Sequence, residues 1–268
     1  MSQPFTVFAS ADTNLSGALH LPEKKQKFTT PLIVLLHGFV GNKVGEHRLF
    51  VKAARHFTSK GYAVVRFDFS GCGESDGDYA QVTVTKQLQE VQAVLDHLSS
   101  IKEIDARNII LIGHSLGGAV AAMTAAQDRR IKKLILWSPV GTPYDDITAI
   151  LGYEKVNVAN EKGKVDYHGF YVSRPFLEDL KKHHPVEAVQ LYKGPALVIH
   201  ANEDEDIPKE HTARYLAALH SRPLHQFAET HYIEEADHTF SSYSFEEELF
   251  RTTTDWLDNI EFLGRIAL

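Results

Sequence analysis

Cysteine is nearly absent from this sequence: Cys72 is the only one in 268 residues. No internal disulfide can form, and neither a thiolate-rich metal site nor a secreted disulfide scaffold is available, so a reducing cytoplasm suits the chain. Long apolar runs are missing too. Nothing approaches the roughly 20 residues that a membrane helix requires, and the opening MSQPFTVFAS has no cationic segment followed by a long apolar core. Nor is there an excess of positive charge. Lys and Arg number 28 against 35 Asp and Glu, a net charge of -7, which leaves no surplus to neutralise phosphates. Neither a membrane nor a nucleic acid is an expected partner. Metal-ligand clusters, internal repeats and low-complexity tracts are lacking, and the glycines of SGCGESDG follow a strand without making a G-x-G-x-x-G loop, so no metal or organic cofactor is expected.

What is present is an ordinary globular composition, 43% hydrophobic and 24% charged, in a chain long enough for one large domain. Short β-branched and aromatic runs alternate with helix-length segments, which predicts an α/β fold with a mainly parallel central sheet flanked by helices. The predicted strands are PLIVLLH (31–37), YAVVRFDF (62–69), NIILIGH (108–114), KKLILWSP (132–139), PALVIHA (195–201) and LHQFAETHYI (224–233). Their near-continuous apolarity suits burial on both faces. FTVFAS and LSGALHL, joined by a polar turn around Asp12 to Asn14, predict an antiparallel hairpin at the sheet edge. Helices are expected near 46–59, 82–101, 116–127, 208–220 and 243–262. One gap is too long for an ordinary crossover. Residues 140–193, rich in Tyr and Phe, read as a cap inserted over one end of the sheet within a single domain spanning 1–268. The alternative is a crossover whose extra helices pack on the core.

The stretch LIGHSLGG (111–118) places Ser115 where a predicted strand turns into a predicted helix. Gly113-His114-Ser115-Leu116-Gly117 fits G-x-S-x-G, in which small residues relieve crowding in a strained turn that presents the hydroxyl. A serine hydroxyl needs a base to take its proton and an acid to orient that base. His238, in the loop EEADHTF after the last strand, is the candidate base, and His231 within that strand is the weaker rival. The acid is sought in HANEDEDIP, which offers Glu203, Asp204, Glu205 and Asp206. In related loops the orienting acid stands four residues before the proline, which selects Asp204 here and leaves Asp206 as the next choice. Backbone N–H groups of Leu116 and Phe39 are the expected oxyanion donors. His37 is read as structural, because no Cys, Asp or Glu stands near it at metal-ligand spacing.

HGFVGNK (37–43), FDFSGCGESDGD (67–78), GHSLGG (113–118), HANEDEDIP (200–208) and EEADHTF (234–240) together resemble the α/β-hydrolase family over nearly the whole chain. Within it the sequence is similar to compact bacterial carboxylesterases of the cinnamoyl and feruloyl esterase type, in which HGF, RFDFxGxGxSDG, GADHxF and a cap GFY recur. The resemblance implies a serine carboxylesterase with Ser115, Asp204 and His238 as its triad and Phe39 and Leu116 as oxyanion donors. It further implies that Tyr171, the tyrosine of GFY, contacts a phenolic acyl group. HAN in place of HGT or HGD, and Leu116 in place of a frequent Gln, depart from the pattern and bear on acyl preference. The expected partner is a small ester with a short or aromatic acyl group. A thioesterase or serine peptidase would use the same triad, and a non-catalytic binding protein would share the scaffold. The oligomeric state is open, a homodimer included.

Overall fold

A computed structural model describes residues 2–10, 13–23, 30–222 and 227–266. Its strands, in chain order, are β1 (Ser2–Ser10), β2 (Thr13–His20), β3 (Thr30–Leu36), β4 (Ala63–Phe67), β5 (Ile104–His114), β6 (Ile131–Trp137), β7 (Lys164–Tyr167), β8 (Phe170–Ser173), β9 (Ala196–Ala201) and β10 (Ala228–Ile233). Eight of them form one sheet in the order β1-β2-β4-β3-β5-β6-β9-β10, and β7 and β8 pair separately. The first two pairings, β1 with β2 and β2 with β4, are antiparallel. All the others in the large sheet are parallel. The expected edge hairpin is therefore present, although Asp12 of its turn lies outside the described residues, as do 224–226 of the expected last strand.

Burial on both faces explains why the central strands read as continuous apolar runs. Leu32, Val34 and Leu36 of β3 join one core cluster with Leu111 of β5 and Leu134 and Leu136 of β6. Their neighbours Ile33, Leu35, Ile110, Ile112, Ile135 and Trp137 point through the opposite face into a second cluster. The period of two along each strand thus feeds two cores.

The helices are α1 (Leu49–Ser59), α2 (Val84–Leu98), α3 (Leu116–Gln127), α4 (Pro143–Leu151), α5 (Tyr153–Lys162), α6 (Arg174–Leu180), α7 (Pro185–Ala188), α8 (Glu210–His220) and α9 (Tyr243–Ile266). The expected helix over 46–59 is interrupted. A single 3-10 turn occupies Glu46–Arg48, and positive φ at His47 (38°) and Arg48 (69°) separates it from α1. Phe50, Ala53, Ala54 and Phe57 of α1 enter the second core, whereas α3 is buried from Leu116 through Ala125. Small residues let α3 lie this close: a Cβ on Gly117 would collide with the carbonyls of Leu36 and His37. No helix among the described residues is long and apolar enough to cross a membrane.

Between β6 and β9 the chain runs through α4, α5, the β7–β8 hairpin, α6 and α7. The two-residue turn of the hairpin is His168-Gly169, with φ of 52° and 86°, the left-handed pair that a type I′ turn demands. Two buried carboxylates tie this segment to the sheet layers. Asp146 of α4 accepts from His211 Nε2 of α8 at 2.9 Å and from the Thr142 N–H at 2.9 Å. Asp179 of α6 accepts from the N–H and hydroxyl of Thr85 in α2, at 2.9 and 2.8 Å.

A third buried carboxylate fixes the loop after β3. Asp68 has no exposed side-chain surface and pairs with Lys43 Nζ at 2.5 Å, while the Lys43 and Glu74 N–H groups also donate to it, at 2.5 and 2.9 Å. Removing one member of a buried pair leaves the other charge uncompensated. Lys43→Met should therefore destabilise the protein by about 3 kcal/mol in urea titration. A loss of less than about 0.5 kcal/mol, the scale of an ordinary surface change, would show that Asp68 is satisfied by its backbone donors alone.

Candidate active site

Ser115 occupies the one-residue corner between β5 and α3, at φ 57° and ψ -126°. Such a conformation is strained for a residue with a Cβ, and its surroundings hold it there. The Ser115 N–H donates to Trp137 O at 3.0 Å, and its carbonyl accepts from the Gly118 and Val140 N–H groups at 2.9 and 3.1 Å. The flanking glycines are required by space. A Cβ on Gly113 would strike the Gly117 carbonyl, and one on Gly118 would stand 2.8 Å from Pro139 Cβ.

His238 follows β10 and meets the loop after β9. Its Nδ1 lies 2.7 Å from Asp204 Oδ2, and the Asp204 side chain is fully buried. Both oxygens of that carboxylate are occupied. Oδ1 accepts from the Asp206 and Ile207 N–H groups at 3.0 and 2.8 Å, and Oδ2 also faces His200 Nε2 at 3.3 Å. Burial alone would raise the acid's pKa, but the hydrogen bonds from His200 and His238, the His238 charge and the Ile207 N–H outweigh it, holding Asp204 well below the usual carboxylate range. An ionised Asp204 only accepts, so neutral His238 carries its hydrogen on Nδ1 and turns a free lone pair outward at Nε2.

The alternatives from sequence fall elsewhere. His231 bonds Glu248 at 2.8 Å on the surface. Asp206 contributes its backbone N–H to Asp204 and leaves its side chain exposed. His37 is buried and lowered to about 4, by desolvation first; its Nδ1–H donates to Gly38 O at 3.0 Å and Nε2 accepts from the Phe69 N–H at 3.1 Å. It joins the two loops structurally.

Two further histidines, to which the sequence reading gave no role, hold the His238 loop by consecutive carbonyls. His114 Nε2–H donates to His238 O at 2.9 Å, and His47 Nε2–H donates to Thr239 O at 3.0 Å. Burial, with the neighbouring His238 charge second, lowers His114 to about 3, which keeps it neutral. On its other side His47 meets Glu246 at 2.7 Å, a buried carboxylate that also takes Lys52.

Gly38 brings the loop after β3 against the serine: a Cβ there would stand 2.8 Å from Ser115 Cβ and 3.2 Å from its Oγ. Phe39 and Val40 follow, Val40 at φ 47°. The Val40 N–H donates to the hydroxyl oxygen of buried Tyr79 at 3.2 Å. The Phe39 ring is enclosed by Tyr79, Tyr167 and Phe176, with centroids 6.0, 5.5 and 5.8 Å away. Ser115, His238, Phe39 and Gly38 line one cavity of about 140 Å³, and Leu116 begins α3 directly behind the serine. Tyr171 does not join them. In the β7–β8 register it pairs with Asp166, while Tyr167 pairs with Phe170, so strand alternation sends Tyr171 to the other face of the hairpin. There it is 45% exposed, with Lys164 Nζ 3.8 Å from its ring centroid. No cluster of metal-ligating side chains occurs among the described residues.

A serine at a strand–turn–helix corner after the fifth strand, with acid and histidine on loops after the last two parallel strands, is one specific architecture. The α/β-hydrolase fold family matches residues 31–157. The ferulic acid-bound structure of Est1E from Butyrivibrio proteoclasticus superposes with a TM-score of 0.82, over 98% of this chain and 100% of that one, at 23% identity. The chain has the α/β-hydrolase fold. Among relatives in sequence, the quorum-quenching protein AidA of Acinetobacter baumannii is 26% identical over 97% of this chain and 94% of its own. The mitochondrial palmitoyl-protein thioesterase ABHD10 of Mus musculus is 27% identical over 73% of this chain and 66% of its own. An esterase domain from Rhodothermus marinus and a thioesterase thus stand among the proteins that this chain resembles.

Because His238 bonds Asp204 and not Asp206, the two acids should separate cleanly. Asp204→Asn should lower turnover by about 10⁴-fold, the scale of a mis-set imidazole tautomer, and Asp206→Asn by less than about threefold. Steady-state kinetics of the two variants checks the order, and equal losses would contradict the geometry.

Proposed function

We propose that the protein is a serine hydrolase of carboxylic esters that works through an acyl-enzyme. The observation that carries this reading is the 2.7 Å contact between His238 and buried Asp204, in a cavity that His238 shares with the strained Ser115. His238 Nε2 takes the hydroxyl proton as Ser115 Oγ adds to the ester carbonyl. The negative oxygen of the tetrahedral intermediate is met by the N–H groups of Phe39 and Leu116, neither of which donates to another described group. His238 then returns the proton to the leaving alcohol, and a water molecule repeats the cycle to release the acid.

Short acyl groups and compact aromatic ones fit this reading, because Tyr167 and Phe176 of the segment between β6 and β9 close on the Phe39 ring beside the serine. The likeness to Est1E, whose structure holds ferulic acid, supports an aromatic acyl group. A thioester would pass through the same acyl-enzyme, and the ABHD10 resemblance supports that second reading. The single, buried Cys72 and the absence of a membrane-spanning helix among the described residues are compatible with a cytoplasmic location.

Ser115→Ala should reduce hydrolysis of p-nitrophenyl acetate and of methyl ferulate by several orders of magnitude, with the thermal midpoint kept within a few degrees. Turnover near that of the parent protein on either ester would remove Ser115 from the mechanism. The pH profile offers a separate check. Asp204 stays ionised because its pKa is depressed, and His114 and His37, lowered to about 3 and about 4, stay neutral above pH 5. Protonating the His238 base removes the lone pair that Nε2 offers to the serine proton. The logarithm of kcat/KM should fall with a slope of one as pH decreases, and a slope of two or a flat profile down to pH 5 would contradict a single imidazole base.

A further inference from the structure

Among the described residues that line the Ser115 cavity, Glu46 is the one that carries a formal charge at neutral pH. Beside Ser115, the lining includes His37 and His114, both neutral through burial, and His238, which must be neutral to act as base. The carboxylate of Glu46 is exposed and is matched by no hydrogen bond or ion pair to a described residue. Its neighbour His47 is turned away onto Glu246 and Thr239. The break at His47 and Arg48 that interrupts the expected helix, with Gly45 at φ 75° before it, sets Glu46 at the cavity wall instead of on a continuous helix face.

The side of the ester that this cavity serves follows from proton transfer. The leaving oxygen receives its proton from His238, so the alcohol departs on the His238 side of the carbonyl. The cavity meets that requirement, because His238 and Thr239 line it together with Glu46, Leu49 and Phe50, and His47 joins the two segments through Thr239 O. Its volume of about 140 Å³ holds four or five waters at roughly 30 Å³ each. That is the size of a small alcohol. We propose that this cavity is the leaving-group subsite and that Glu46 selects esters of small cationic alcohols over anionic ones. The inference rests on the ester-hydrolase reading and gives it a substrate class: compact esters whose alcohol bears an ammonium group. The reaction is ordinary hydrolysis, in which ester and water yield the acid and the cationic alcohol.

Three acetate esters of matched shape test it: acetylcholine, its neutral isostere 3,3-dimethylbutyl acetate, and the anionic O-acetylisethionate. In the parent protein kcat/KM should rank in that order. A single solvated charge a few ångströms from the substrate charge gives roughly a fivefold step between successive esters, so the ratio of cationic to anionic ester should be about 20-fold or more at low salt. Glu46→Gln should bring that ratio down by at least fivefold, and Glu46→Lys should invert it. If all three esters are hydrolysed and the ratio is the same in the parent and in both variants, the Glu46 proposal is overturned while the ester-hydrolase reading stands. If none is hydrolysed by the parent, and p-nitrophenyl acetate and methyl ferulate are also untouched, both are overturned.

Discussion

The hydrogen bond from His238 Nδ1 to Asp204 is the contact on which the proposed chemistry of this molecule depends. It joins loops at the ends of two adjacent strands, β9 and β10, and it decides which imidazole nitrogen is free to act. The carboxylate can serve because it is over-determined: two backbone N–H groups and a second histidine fix it before His238 is counted. Buried acids without such donors are pushed toward the neutral form. Glu90 illustrates the contrast, being raised by burial despite its bond from Ser70.

Other parts of the fold keep that contact in register with Ser115. His114 and His47 grip consecutive carbonyls of the His238 loop, one from the residue before the serine and the other from the turn before α1. Tyr79 and His37 do the same for the loop bearing Phe39, by accepting the Val40 and Phe69 N–H groups. The positive φ angles at Val40, Ser115 and Phe240 all lie in or beside these segments. Local backbone strain is thus gathered around the site and offset by the packed sheet beneath it.

Much of this was legible in the sequence, for identifiable reasons. The parallel strands announce themselves because both faces are buried. The serine corner is visible because each glycine around it stands where a Cβ would strike backbone or Pro139. Asp204 could be chosen over Asp206 because related loops place the orienting acid four residues before the proline, and in the structure that residue is the one that accepts its neighbours' N–H groups. The brace histidines were not legible: His47 and His114 act through partners 192 and 124 residues away, and nothing in local pattern reports such pairs. The aromatics of the segment between β6 and β9 illustrate a different limit. Composition suggests a wall for a ring-bearing substrate, yet Tyr167 and Phe176 pack on Phe39, and Phe170 packs on Tyr79. Tyr171 lies on the opposite face because a two-residue turn fixes the register, and a one-residue slip would have reversed the two tyrosines.

The central claim is that Ser115 is the atom-bearing nucleophile of a covalent pathway, and intact-mass spectrometry after treatment with a fluorophosphonate tests it most directly. The account predicts one stoichiometric adduct, mapped by peptide fragmentation to Ser115 and blocked by prior incubation with a slowly hydrolysed ester. No adduct, or an adduct on another residue with Ser115 unmodified, would contradict it.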